Sequence, residues 1–219
     1  MNELLFFLHI VCISAMTLIM LKLGSSALAT FLCVQALLAN LFVLKQITLF
    51  GLNATASDVY IIGSVLSLNL LQEYYGKEIA RKVIWISFAI LLFYTLTSQI
   101  HMWYLPNIHD FTQIHYATLL AYMPRLAFAS ITVYLIVQYF DTYFYGFLKK
   151  ILHGNYLLVR NISSICVSQL LDTLLFSFLG LYGIIDNIIQ VMIVSFAIKL
   201  SAIILIPTIV LLIKKKCNF

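Results

Sequence analysis

The apolar and polar positions of this chain sort into long blocks rather than short alternations. Seven mostly apolar stretches, roughly 4–21, 25–49, 57–75, 83–104, 116–140, 159–181 and 187–213, are separated by short polar breaks. Each approaches the roughly 20 residues that a helix needs to cross the hydrocarbon core of a bilayer. The runs are continuous and lack the inward–outward alternation of a membrane β-barrel, so the pattern predicts an all-α bundle of seven spanning helices. Helix-stopping residues fall in the breaks: Gly24-Ser25-Ser26, Gly51-Leu52-Asn53, Gly76, Pro106-Asn107, the turn His153-Gly154-Asn155, and Gly183. The polar stretches are too short for a second domain, so residues 1–219 read as one membrane domain.

Composition removes the soluble alternatives. Of 219 residues, 63% are hydrophobic and 10% charged, and the mean hydropathy is +1.04. Soluble domains carry about 25% charged residues, so this chain could not cover its own surface in water. The first segment lacks a basic leader and opens Met-Asn-Glu, which predicts a retained helix rather than a cleaved signal. Cys12, Cys33, Cys166 and Cys217 have no metal-binding spacing and read as packing residues.

The net charge of +5 changes the picture through its placement. Lys22, then Lys77, Arg81 and Lys82, then Lys149, Lys150 and Arg160, then Lys214, Lys215 and Lys216 fall on one side of an alternating seven-span path. The opposite connections carry His109, Asp110, His115 and Asp186. By the positive-inside rule the N-terminus is outside and the C-terminus cytoplasmic. These basic residues sit in short loops, not on a soluble arm with interleaved aromatics, so nucleic acid is not an expected partner. Trp103, Tyr104, Tyr116, Tyr122, Tyr139, Tyr143 and Tyr145 mark span ends, as interfacial belts do.

Candidate chemistry lies in the polar residues inside apolar runs. Asn40 and Lys45 fall in the second run; Asn69, Gln72 and Glu73 close the third. Arg125, Gln138 and Asp141 belong to the fifth, Gln169 and Asp172 to the sixth, and Lys199 to the seventh. One Asp, Lys or Arg at the centre of a spanning helix costs ~2.5–3.5 kcal/mol. Asp172, Arg125 and Lys199 together would cost roughly 10 kcal/mol unless they face one another or water, so they are expected to converge on an interior. Helical spacing puts Asn69 with Glu73, and Gln169 with Asp172, on single faces. An Asp172–Lys199 ion pair is one way to neutralise both. The sequence has neither H-E-x-x-H nor G-x-S-x-G, and its five histidines are scattered, so an intramembrane enzyme is not expected. No cofactor or metal site is expected. A G-x-x-x-x-G-K-[ST] loop is absent, so any ATP dependence would come from a partner chain.

Three motifs carry a resemblance. The run from Leu66 to Trp85 (LSLNLLQEYYGKEIARKVIW), the pair Pro124-Arg125 followed by Gln138-Tyr139-Phe140-Asp141, and the run from Arg160 to Thr173 (RNISSICVSQLLDT) resemble the bacterial queuosine precursor transporters. Asn40, Lys45 and Lys199 echo the same pattern. The resemblance implies import of a 7-deazaguanine base, queuine or a precursor, across the inner membrane for salvage into tRNA modification. It also implies a six-helix core similar to the substrate-binding subunits of energy-coupling-factor transporters, preceded by one extra helix. A homo-oligomer or an energy-coupling partner would be its assembly. Asn40, Asn69, Glu73, Arg125, Gln138, Gln169, Asp172 and Lys199 are the expected cargo contacts. A guanine-like edge presents two adjacent N–H donors that one carboxylate can accept, while an amide reads the neighbouring carbonyl. Asp172 with Gln169 is the favoured pair, with Tyr134 or Phe176 stacking on the base. The chain departs from the resemblance at Asn69 and Ile206, where acids are expected.

Overall fold

A computed structural model describes residues 1–151 and 157–217; the side chains of 142, 149, 157–162, 202 and 204–217 also lie outside the described set. The predicted turn His153-Gly154-Asn155 and the side chains of Lys149, Arg160, Ile206 and Lys214–Lys216 therefore fall outside the described residues.

Helix α1 (Asn2–Leu23) runs to Gly24, whose φ of 107° breaks it, and α2 (Ser25–Phe42) returns. Strands β1 (Gln46–Leu49) and β2 (Leu52–Thr55) then form an antiparallel hairpin before α3 (Asp58–Tyr75). Gly76, at φ 93°, separates α3 from α4 (Lys77–Met102). A short α5 (Gln113–Leu120) precedes α6 (Met123–Ile151), then α7 (Leu157–Phe176), a π-helical turn Ser177–Leu181, and α8 (Ile188–Cys217). Among the described residues, five helical stretches are long and apolar enough to cross a membrane: Asn2–Leu23, Ser25–Phe42, Lys77–Met102, Gln113–Leu148 and Ser163–Leu181. The third run is not among them, because α3 spends 18 residues that include Asp58, Asn69, Gln72 and Glu73.

The outward faces suit lipid. Trp85, Phe93, Leu96 and Phe128 are each more than half exposed, as are Leu5, Leu8 and Val11 of α1. Apolar surface of that extent has no stable home in water. Inside, Leu28, Leu32, Leu66 and Leu70 join α2 to α3, with Leu21 and Val83 closing the cluster from α1 and α4. Gly63 permits that approach: a Cβ there would collide with Gln35 Oε1 and Ile13 Cγ2.

Two runs differ in extent from the sequence reading, and a third ends in irregular geometry. The second run stops being helix at Phe42, and 46–55 become the hairpin. Its two-residue turn, Phe50 at φ 51° and Gly51 at φ 80°, has the left-handed pair a type I′ turn requires. Leu49, Ala54 and Thr55 are buried, so the hairpin packs into the bundle rather than extending a helix. Asn2 Nδ2 donates to Thr48 O at 3.1 Å, and Asn53 N–H donates to Gln190 Oε1 at 3.1 Å, tying it to the starts of α1 and α8.

The fifth run is broken at Ala121-Tyr122. Pro124 has no N–H to give Leu120 O, four residues back; Gln99 Nε2 donates to that carbonyl instead, at 2.8 Å. The sixth run ends in the π turn, whose carbonyls need outside donors. Arg125 supplies them, with Nε on Leu179 O at 2.8 Å and Nη2 on Tyr182 O at 2.7 Å.

Candidate functional site

Charged side chains converge where α3, α7 and α8 meet. Ser195 and Lys199 lie one turn apart on α8, and Asp172 and Thr173 are neighbours on α7. Lys199 Nζ donates to Asp172 Oδ2 at 2.6 Å and to Thr173 Oγ1 at 3.2 Å. The ammonium is the more enclosed partner: the Lys199 side chain is 9% exposed and that of Asp172 31%. Asp58 stands in the first turn of α3 and is 2% exposed. Its Oδ1 accepts the Ser195 hydroxyl at 2.8 Å, while Oδ2 is buried with no hydrogen-bond partner among the described residues.

Asp58, Ser195, Lys199, Thr173, Thr55 and Ser57 line one internal cavity of about 30 Å³, with Phe176 and Val191 among its apolar walls. That volume holds a water molecule but is about a tenth of the smallest ordinary ligand pocket. The bundle is therefore closed around its polar centre. On the hairpin side a larger hollow of about 340 Å³ is lined by Phe42, Lys45, His9, Tyr60 and Val59. Asp58 and Val59 are consecutive, so the first turn of α3 lies between the two spaces.

The other expected contacts distribute differently. Asn40 joins α2 to α6, its Oδ1 accepting from Ser130 Oγ at 2.6 Å and its Nδ2 donating to Ala36 O at 3.0 Å. Arg125 is committed to the π-turn carbonyls. Asn69, Gln72 and Glu73 lie on the exposed side of α3, and Gln138 on the exposed side of α6. Asp141 Oδ1 accepts from both Ser164 and Ser168 at 2.7 Å, which links α6 to α7. Gln169 is partly buried one turn before Asp172 and Thr173; its backbone carbonyl accepts from Thr173 Oγ1 at 2.9 Å. Lys45 is exposed beside the hairpin. Phe176 lines the cavity, whereas Tyr134 meets the Phe88 ring edge-on at 5.0 Å.

Asp58 escaped the sequence reading. An acid in the opening turn of a helix, next to a serine, reads as a dipole-stabilising surface residue. Only the hairpin and α8, folded over that turn, remove it from solvent.

Long lipid-facing helices around a small charged centre define a multi-pass membrane carrier. The chain belongs to the family described as "Putative vitamin uptake transporter", whose model matches residues 55–213. It is 33% identical over 182 residues to a protein of Bacillus subtilis (strain 168) named "Probable queuosine precursor transporter", covering 81% of this chain and 79% of that one. No solved structure matches it. The protein is thus a transporter rather than an enzyme.

Proposed function

We propose that this protein imports a queuosine precursor, queuine or a related 7-deazaguanine base, across the bacterial inner membrane for salvage into tRNA modification. The observation that carries the cargo is the likeness to the Bacillus subtilis protein over four fifths of both chains. In this reading α1, α2, α3, α4, α5 with α6, α7 and α8 make seven crossings, N-terminus outside and C-terminus cytoplasmic. The last six form a core similar to energy-coupling-factor substrate-binding subunits.

Asp172 is the base-binding carboxylate of this reading. The Lys199 ammonium pairs with it at 2.6 Å, and at 31% exposure it is the accessible partner of the pair. A base edge carrying two N–H donors replaces Lys199 as the partner of Asp172, while Gln169 one turn away reads the carbonyl. Because the cavity is closed, binding requires α7 and α8 to separate by the thickness of an aromatic ring. Asn40, Asn69, Glu73, Arg125 and Gln138 contribute along the path to that centre or hold it in shape.

The test is uptake of labelled 7-deazaguanine bases in cells unable to make queuosine, with and without this protein. Restored tRNA modification from a supplied base is the expected result. Failure with every such base, at normal protein level, overturns the cargo assignment.

A further inference from the structure

The closed cavity is lined by one carboxyl group, Asp58, and one ammonium, Lys199, whose partner Asp172 is 31% exposed. Lys199 is spoken for by Asp172 and Thr173. Asp58 keeps one oxygen on Ser195 and leaves Oδ2 buried with no donor among the described residues. An ionised Asp58 would set a second carboxylate beside an ammonium already bound to Asp172, at the wall of an enclosure that admits about one water. A carboxylate so placed takes up a proton or a cation rather than stay charged and unpaired.

Other titratable groups do not supply the missing charge. Among the elements packed against the start of α3, α8 brings Lys199 and α7 brings Asp172. Thr55 of β2 and Ser57 bring hydroxyls. On α1, His9 packs its ring against Tyr60 at 5.1 Å and lines the outer hollow, as does Lys45. Helix α2 has Cys33 and no charged residue. The cavity is shared with a lysine ammonium, whose charge opposes a bound sodium ion.

We propose that Asp58 is a proton-binding site whose occupation permits the bundle to close, so that each translocation step requires a proton on its free carboxyl oxygen. The Ser195 hydroxyl holds Oδ1 and orients Oδ2 toward the cavity, and Lys199 stays with Asp172 because a neutral Asp58 does not compete for it. Opening admits water and lets Asp58 ionise; closing returns the proton to Oδ2. No bond other than O–H forms or breaks. The proposal depends on the transport reading but not on which base is carried.

The experiment is exchange of labelled base across proteoliposomes at equal pH on both sides, which isolates opening and closing from any gradient. Above its midpoint the wild-type rate should fall about tenfold per pH unit, as for one required proton. D58N, which keeps the shape of the neutral acid, should exchange at a rate that does not vary over that range. S195A removes a donor to the carboxylate and should move the wild-type fall to higher pH. A flat wild-type profile, or D58N retaining the wild-type profile, overturns the proposal. So does recovery of the high-pH rate by sodium at constant ionic strength, which would make this a metal-cation site.

A second measurement needs no cargo. Infrared spectra of the purified wild-type protein should contain the carbonyl stretch of a protonated carboxylic acid, absent from D58N and retained in D172N. If no 7-deazaguanine base exchanges at any pH, the cargo assignment fails and the infrared band alone decides the proton site. Lack of a band that depends on Asp58 refutes it.

Discussion

Breaking the Asp172–Lys199 pair from either side should have unequal consequences. Removing one partner of a fully buried ion pair costs about 3–5 kcal/mol, since the survivor is left charged and unpaired; exposed pairs contribute about 0–1 kcal/mol. In D172N the stranded group is the Lys199 ammonium, 9% exposed, close to the buried limit and so destabilised by about 3 kcal/mol. In K199M the stranded group is the Asp172 carboxylate, 31% exposed, which water reaches; a discounted cost of about 1.5 kcal/mol follows. Two independent changes would sum to about 4.5 kcal/mol, but D172N/K199M strands neither charge and should lose only about 1 kcal/mol, a coupling of roughly 3.5 kcal/mol. Unfolding by graded detergent in mixed micelles measures all four proteins. Uptake separates structure from binding: the double variant should regain stability yet stay inactive, because no carboxylate remains for the base. Equal losses in the two single variants would refute the burial argument. Near-normal uptake by the stable double variant would remove Asp172 from the cargo site.

Three further outcomes test the frame around this centre. R125K gives up the forked contact to Leu179 O and Tyr182 O and should lower stability by about 1–2 kcal/mol with unchanged affinity for cargo; lost affinity at full stability would make Arg125 a binding residue. G63A drives a methyl group onto Gln35 and Ile13 and should cost about 1–3 kcal/mol in detergent unfolding, as overpacking does. F50N puts an asparagine at a left-handed turn position, φ 51°, and should stabilise the hairpin, read as slower amide exchange at Ile47 and Ala54; faster exchange would mean that Phe50 is held by more than its turn.

The sequence alone was enough for the membrane environment, because solvation by lipid is a property summed along a run and needs no partner. It offered an Asp172–Lys199 pair as one way to neutralise two deep charges, and those side chains do meet, whereas Arg125, expected to converge with them, does not. It misjudged 43–49, where Val43, Leu44, Ile47 and Leu49 continue the apolar run and packing against α1 and α8 selects the hairpin. Arg125 read as a deep charge with a share in binding, but its donors answer backbone carbonyls that exist only because α7 ends in a π turn. Asn69 and Glu73, one turn apart as spacing required, lie on the exposed side of α3; periodicity gives a shared face but not its direction. Asp58 shows the limit most plainly. Nothing near it in the chain marks it as buried, because its enclosure needs the folded hairpin together with Ser195 and Lys199, more than 130 residues away. Hydrophobicity along the chain determined which segments leave water, and the tertiary fold decided which charges leave it with them, because a charge's free energy depends on neighbours that sequence order does not specify.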